Sequence, residues 1–428
     1  MTTDSATSGA SSSDALPALR RTILAGVLIG AANALGLLGF EWVVNTLQEL
    51  IWNDWAGSDE TRWLVVPLAI AGSIALSLTV RLTRQQRMIP PHTDVLAEID
   101  TVRPGSLKLI AVLILTGVVS LVGGASLGPE GALLPASIAL GAWVAGHSRV
   151  KGPVNELLIL SSIGALLVAF FGSILPAPIP LLIMRKQGKA LTRRAVIPPL
   201  LAGLTAWGIV TLIRGGGQGH DIVPIDSGGD LSAVLPAFIL GVLAVLIGVL
   251  VRVVIRAAGT WTDRMDRLWQ WIAAAAVFGA VIGVLYWIGG ESVQFSGEDG
   301  TQMLYDDRAQ YSAAALVGLL AVKLVATAWS LAAGYRGGPA FPSVYMGVAL
   351  SLAITTAIPD VSETGVMIGA IAGILAEMTT PGVAIIMILS LMPTNLIPIG
   401  IVGAIGAVGG RRVLERVQPR FALKPPEA

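Results

Sequence analysis

The chain has 428 residues, of which 54% are apolar and only 13% charged, and its mean hydropathy is +0.76. A soluble domain carries about 25% charged residues, so most of this chain does not face water. A net charge of +1 offers no field of one sign to nucleic acid or an acidic substrate, and the lack of cysteine removes disulfides, thiolate catalysis and cysteine-based metal sites.

Residues 1–16, rich in Ser, Thr and Ala, lack the basic-then-apolar order of a signal peptide and read as a disordered tail. Apolar runs follow at 22–42, 63–80 and 107–121, each long enough to cross or partly cross a bilayer core of roughly 30 Å. The next runs, 131–146 and 156–183, are short or broken by Gly and Pro. Longer ones return at 196–213, 231–254, 269–288 and 313–333, and broken ones at 340–358, 366–378 and 383–402. The fold class is therefore all-α and polytopic. With 50 Gly and 24 Pro, half-helices and close helix contacts are expected. Broken helices at membrane depth are tolerated only inside protein or along a cavity, which points to a transport protein. Basic clusters at 81–87, 185–194, 252–267 and 411–420, with Arg20 and Arg21, place both termini in the cytoplasm of a cell membrane. Residues 411–428 read as a short cytoplasmic tail.

Two stretches repeat one pattern. Gly128-Pro-Glu-Gly-Ala-Leu-Leu-Pro135-Ala-Ser137 precedes Gly141, and Gly337-Gly-Pro-Ala-Phe-Pro342-Ser343 precedes Gly347. Each is a Gly-rich entry, then Pro, then Ser, then a small-residue helix, about 209 residues apart (337 minus 128). The domain then divides into halves at 17–215 and 216–410. Inverted halves would bring both turns to one central site.

Glu130 lies between two long apolar stretches, where a charge costs about 2.5–3.5 kcal/mol or more. Pro129 suits a first helical turn. The free N–H groups and positive end of the helix that follows form a ready anion site. Glu130 can fill that site itself, or leave it to a small anion; a plain cap on its own helix fits the same residues. Two other classes compete. Gly124-Ala-Ser126-Leu-Gly128 fits the G-x-S-x-G pattern of a serine hydrolase, with His147 or His220 as the base it would need. A secondary transporter for an organic solute is the other.

Gly128-Pro129-Glu130-Gly131 resembles the G-[K/R]-E-G-P motif of the chloride channel (CLC) family, whose glutamate is the gating carboxylate. Gly338-Pro-Ala-Phe-Pro342 resembles that family's G-x-F-x-P motif, and Phe295-Ser-Gly-Glu-Asp-Gly300 its Ser-Gly-Gly-Gly loop. Order and spacing match from about residue 20 to 408. The resemblance implies a homodimer with one pathway per subunit, carrying chloride or another small anion through the lipid, with no cofactor, metal, nucleic acid or enzymatic activity. It assigns gating to Glu130 and anion binding to Gly128 and to backbone N–H groups of Gly131, Ala132, Ala340 and Phe341, with Thr93 (or His92) and Asn395 at the inner end.

Four departures qualify it. Ile-Pro-Pro-His-Thr-Asp at 89–94 stands where the family has G-S-G-I-P, and Pro339 has no N–H to give an anion. No tyrosine follows Tyr345, so Thr394 or Asn395 would replace the family's central one. Where proton-exchanging members carry an inner glutamate, this chain has Met184, Arg185 and Lys186. These imply a channel-like or weakly proton-coupled protein. Glu377 is either a substitute proton carrier or an interhelical hydrogen-bond partner.

Overall fold

The computed structural model describes residues 12–56, 61–83, 106–148, 153–186, 188, 196–215, 223–225, 231–259, 267–379 and 381–417. Among these, nine helical segments are long and apolar enough to cross a membrane. The first half comprises α1 (Ser12–Gln48), α2 (Val65–Leu82), α3 (Leu107–Val122), α4 (Pro129–Ser148), α5 (Pro153–Phe171), α6 (Ile179–Lys186) and α7 (Ile197–Arg214). The second comprises α8 (Val234–Leu243), α9 (Val245–Gly259), α10 (Leu268–Gly289), α11 (Glu298–Asp306), α12 (Ala313–Ala332), α13 (Ala340–Ala357), α14 (Glu363–Met378), α15 (Pro381–Leu391) and α16 (Ile397–Val417).

The helix starts are written in the sequence. Ser106 accepts the Leu109 N–H at 3.1 Å to cap α3, and Ser312 accepts that of Ala315 at 3.2 Å to cap α12. Pro opens α4, α5 and α15, where a missing N–H costs nothing. Helix α7 ends on Gly215 at φ 86°, a left-handed cap.

Packing repeats between the halves. Helices α1, α5 and α7 contact one another, as do α8, α14 and α16; the series α3–α4–α5 is matched by α12–α13–α14. Small residues set these distances. Gly365, Gly369 and Gly373 of α14 lie against the backbone at Ala233, Ala237 and Gly241, so a Cβ at any of the three would overlap it. In the first half a buried polar knot joins three helices. Asn33 of α1 donates to Ser162 Oγ of α5 at 2.8 Å, and Ser137 of α4 donates to Asn33 Oδ1 at 2.7 Å.

Several boundaries differ from the sequence reading. Helix α1 begins at Ser12, inside the stretch 1–16 read as a tail. Helix α16 runs to Val417, so 411–417 is helix, with Arg411 buried. The run 231–254 breaks at Ala244, where neither Gly nor Pro announces it. The run 156–183, by contrast, divides as read, into α5 and α6 around Pro176 and Pro178.

Candidate functional site

The turns before α4 and α13 are joined by their backbones. Gly128 N–H donates to the Gly338 carbonyl at 2.7 Å and Gly338 N–H to the Gly128 carbonyl at 2.8 Å, an isolated antiparallel bridge. Two serines fasten the turns from behind: Ser330 Oγ accepts the Ser126 N–H at 3.0 Å, and Ser120 Oγ accepts the Arg336 N–H at 2.6 Å. Both turns carry a left-handed glycine, Gly124 and Gly334. Every pair in this set, 120/330, 124/334, 128/338 and 130/340, is separated by 210 residues, the spacing of Glu130 from Ala340. The repeat therefore has a shift of 210, one more than the motif alignment gave, because Gly338 rather than Gly337 corresponds to Gly128.

Glu130 follows the bridge by two residues and is 5% exposed. Its Oε1 accepts the Ala340 N–H at 2.8 Å; its Oε2 is buried without a hydrogen-bond partner. The carboxylate reaches from the start of its own helix to the N-terminus of α13, whose N-cap is Pro339. The positive end of the opposite helix holds it. A Cβ at Gly131 would overlap the Gly337 carbonyl, and one at Gly338 the Glu130 carboxylate. Phe341 packs edge-on against Phe170, ring centroids 5.0 Å apart.

Of the expected anion-binding residues, Gly128 gives its N–H to the Gly338 carbonyl. Gly131, Ala132, Ala340 and Phe341 are brought together in the first turns of α4 and α13, where amides lack an intrahelical acceptor. Asn395 stands apart, exposed in the single turn Thr394–Leu396. Thr93 and His92 lie outside the described residues, as does His220. Ser126 is buried beside Thr327, with the oxygens 3.5 Å apart, whereas His147 is exposed at the end of α4 and bonds the Trp143 carbonyl. The serine–histidine pair a protease would need is not formed among the described residues. Arg185 is exposed near the end of α6. Glu377, 1% exposed, is ion-paired to Arg252 of α9 and lies 3.9 Å from Arg411 of α16. It is an interhelical partner, but ionic.

A cavity opens beside the bridge. It is lined by Glu41, Asn45 and Gln48 of α1, Leu121, Leu127 and Pro129, and Phe295, Ser296 and Glu298 before and in α11. Glu41 is paired with Arg214 at 2.5 Å. Outside the membrane spans, burial and then the carboxylates of Glu41, Asp299 and Glu130 push Glu298 up to about 8, with Arg214 opposing. The turn carrying Phe295 is pinned: Phe295 takes φ 49°, its N–H donates to Tyr286 Oη at 2.9 Å, and that hydroxyl donates to the Gly124 carbonyl at 3.0 Å. Lys323 of α12, fully buried, donates to the carbonyls of Val293 at 3.0 Å and Phe295 at 2.7 Å. Sequence reasoning missed it, although a lone lysine inside the apolar run 313–333 is the kind of residue that demands a partner.

Comparisons with known proteins agree with this geometry. YfeO of Shigella flexneri, a candidate ion-transport protein, is 28% identical over 391 residues, covering 88% of this chain and 89% of its own. Its Escherichia coli counterparts match equally. Among solved structures, a slow cyanobacterial chloride/proton antiporter superposes with a TM-score of 0.72 at 20% identity, covering 93% of this chain and 98% of its own. A CLC-type fluoride/proton antiporter gives 0.67 at 16% identity, covering 93% and 95%. A family model described as voltage gated chloride channel matches residues 71–411.

Proposed function

The chain belongs to the voltage-gated chloride channel family, a family of anion channels and transporters rather than enzymes, and from that premise we propose that Glu130 gates a small-anion pathway through it, chloride being the first candidate. The observation that carries the reading is the Glu130 carboxylate on the Ala340 N–H at 2.8 Å, with its second oxygen buried and unbonded. A carboxylate on a helix N-terminus occupies the place a free anion would take. Once it leaves, the Ala340 amide joins those of Gly131, Ala132 and Phe341 around the vacated position. Protonation removes the charge that holds the side chain there, so flux rises as pH falls. Thr93 or His92, and Asn395, line the inner end in this reading. Both termini lie in the cytoplasm, and two copies pair, each with its own pathway.

The test is Glu130→Gln in proteoliposomes. A neutral amide competes weakly for a helix N-terminus, so chloride flux should be high and independent of pH. Retention of the wild-type pH response would leave Glu130 as a helix cap only.

A proton-coupled antiporter is the second reading, favoured by the acidic cavity beside Glu130 and by the names of the two antiporters above. It requires a second proton carrier inside the membrane. Arg185 stands where such relatives carry theirs, and Glu377 is tied to Arg252. These residues support a channel-like or weakly coupled protein.

A further inference from the structure

Among the described residues, Phe295 is the one non-glycine whose backbone takes a positive φ, 49°. That region costs a bulky side chain on the order of 1–3 kcal/mol, and such strain persists only where the surroundings over-determine it. Here both backbone polar groups are held by buried side chains. The Phe295 N–H donates to Tyr286 Oη at 2.9 Å, and its carbonyl accepts from Lys323 Nζ at 2.7 Å. Tyr286 Oη is tied in turn to the Gly124 carbonyl at 3.0 Å, in the turn that leads to α4. The ring is fixed as well. Trp52 meets it edge-on with centroids 5.3 Å apart, and the Trp52 indole N–H is anchored on the Val122 carbonyl at 2.8 Å. A glycine would hold the same turn without strain, so what Phe295 adds is its ring.

Phe295 is part-buried and lines the cavity together with Leu127 and Pro129. Those two residues flank Gly128, and a Cβ at Gly128 would overlap Glu130 Oε2, the carboxylate oxygen without a hydrogen-bond partner. The free oxygen of Glu130 thus lies against the residue between two members of the cavity wall. We propose that Phe295 is a specificity-determining residue of the anion pathway, a fixed apolar wall beside Glu130 at which an anion gives up part of its water. Weakly hydrated anions then pass in preference to strongly hydrated ones. The inference rests on the reading that anions pass at Glu130. Apolar constrictions act on ions through their hydration, and a ring that cannot swing aside imposes that cost on each ion. Tyr286, Lys323 and Trp52 are its positioning residues.

Thiocyanate is more weakly hydrated than chloride. Efflux of each from proteoliposomes is to be measured at one acidic pH, the same on both sides, for the wild type, Phe295→Gly, Phe295→Asn and Phe295→Tyr. Glu130→Gln is followed across pH in parallel. The wild type should favour thiocyanate. In Phe295→Gly the thiocyanate-to-chloride ratio should fall about tenfold, the lower end of what one apolar group adds to discrimination. Phe295→Tyr keeps the ring and should keep a ratio close to that of the wild type. An unchanged ratio in Phe295→Gly, whatever happens to the two rates, overturns the proposal, while a pH-independent Glu130→Gln leaves the gate intact. A ratio lost as fully in Phe295→Tyr overturns it too, since the ring would not be the determinant. Should Phe295→Gly fail to reconstitute, Phe295→Asn, polar and tolerant of the same backbone, decides by the same ratio. If Glu130→Gln keeps the wild-type pH response, the gate reading fails and the proposal with it.

Discussion

Glu130 and Ala340 hold corresponding positions, 210 residues apart, and one bonds the other's amide. The difference between them is the chemistry of the site: one half supplies a carboxylate, the other a bare helix end. Pro339 narrows what that helix end offers, since it has no N–H. A hydrogen bond to a charged group contributes about 1.5–3 kcal/mol, roughly 10- to 100-fold in affinity. Calorimetry on purified protein should therefore find chloride binding that is millimolar or undetectable; a micromolar constant would mean that other donors compensate. Gly338→Ala tests the position of the carboxylate more sharply. Its Cβ would overlap the Glu130 carboxylate, so the side chain must leave and the pH dependence of flux should flatten. An unaltered dependence would place the working carboxylate elsewhere. Glu130 was legible because an ionisable residue among apolar ones demands a reason. Which helix it would bond was not, because that depends on a turn 208 residues away at Gly338 (338 minus 130).

The helices themselves were largely legible, since Gly and Pro punctuate them and serines cap them. The break at Ala244 carries no such mark and comes from tertiary packing. The same is true of the knot of Asn33, Ser137 and Ser162, three residues that look unremarkable one at a time. Together they tie α1, α4 and α5 behind the site. Asn33→Ala would remove the donor to Ser162 Oγ and one acceptor of the Ser137 hydroxyl, which keeps the Ser162 carbonyl at 2.9 Å. Interhelical hydrogen bonds in membranes contribute about 0.6–1.7 kcal/mol each. The variant should unfold a few degrees lower in detergent while keeping its pH-dependent flux. A loss of pH dependence with unchanged stability would mean that the knot acts on the gate and not on packing.

Across the whole molecule, two halves of opposite orientation were readable from one short repeat, but its shift was misjudged by a residue because the second turn offers two adjacent glycines, Gly337 and Gly338. Proton coupling is also a property of the whole path, since a proton must find carriers from one face to the other. Arg185 is a permanent cation near the end of α6, and Glu377 is held by Arg252. Under a chloride gradient, proteoliposomes should pass chloride with no uphill proton movement at fixed stoichiometry. Such movement would overturn the channel-like reading, and its disappearance in Glu377→Gln would make Glu377 the inner carrier.

The glycine bridge also says what cannot move. Two backbone hydrogen bonds link the halves at the site, and Ser120 and Ser330 hold the turns on either side. Halves that swung apart here would strand buried backbone groups where no water replaces their partners, at a cost of several kcal/mol. With Glu130 as the gate, the travelling mass of each cycle is then one side chain inside a stationary frame. Turnover follows the clocks of rotamer change and proton exchange, not the slower one of collective domain motion.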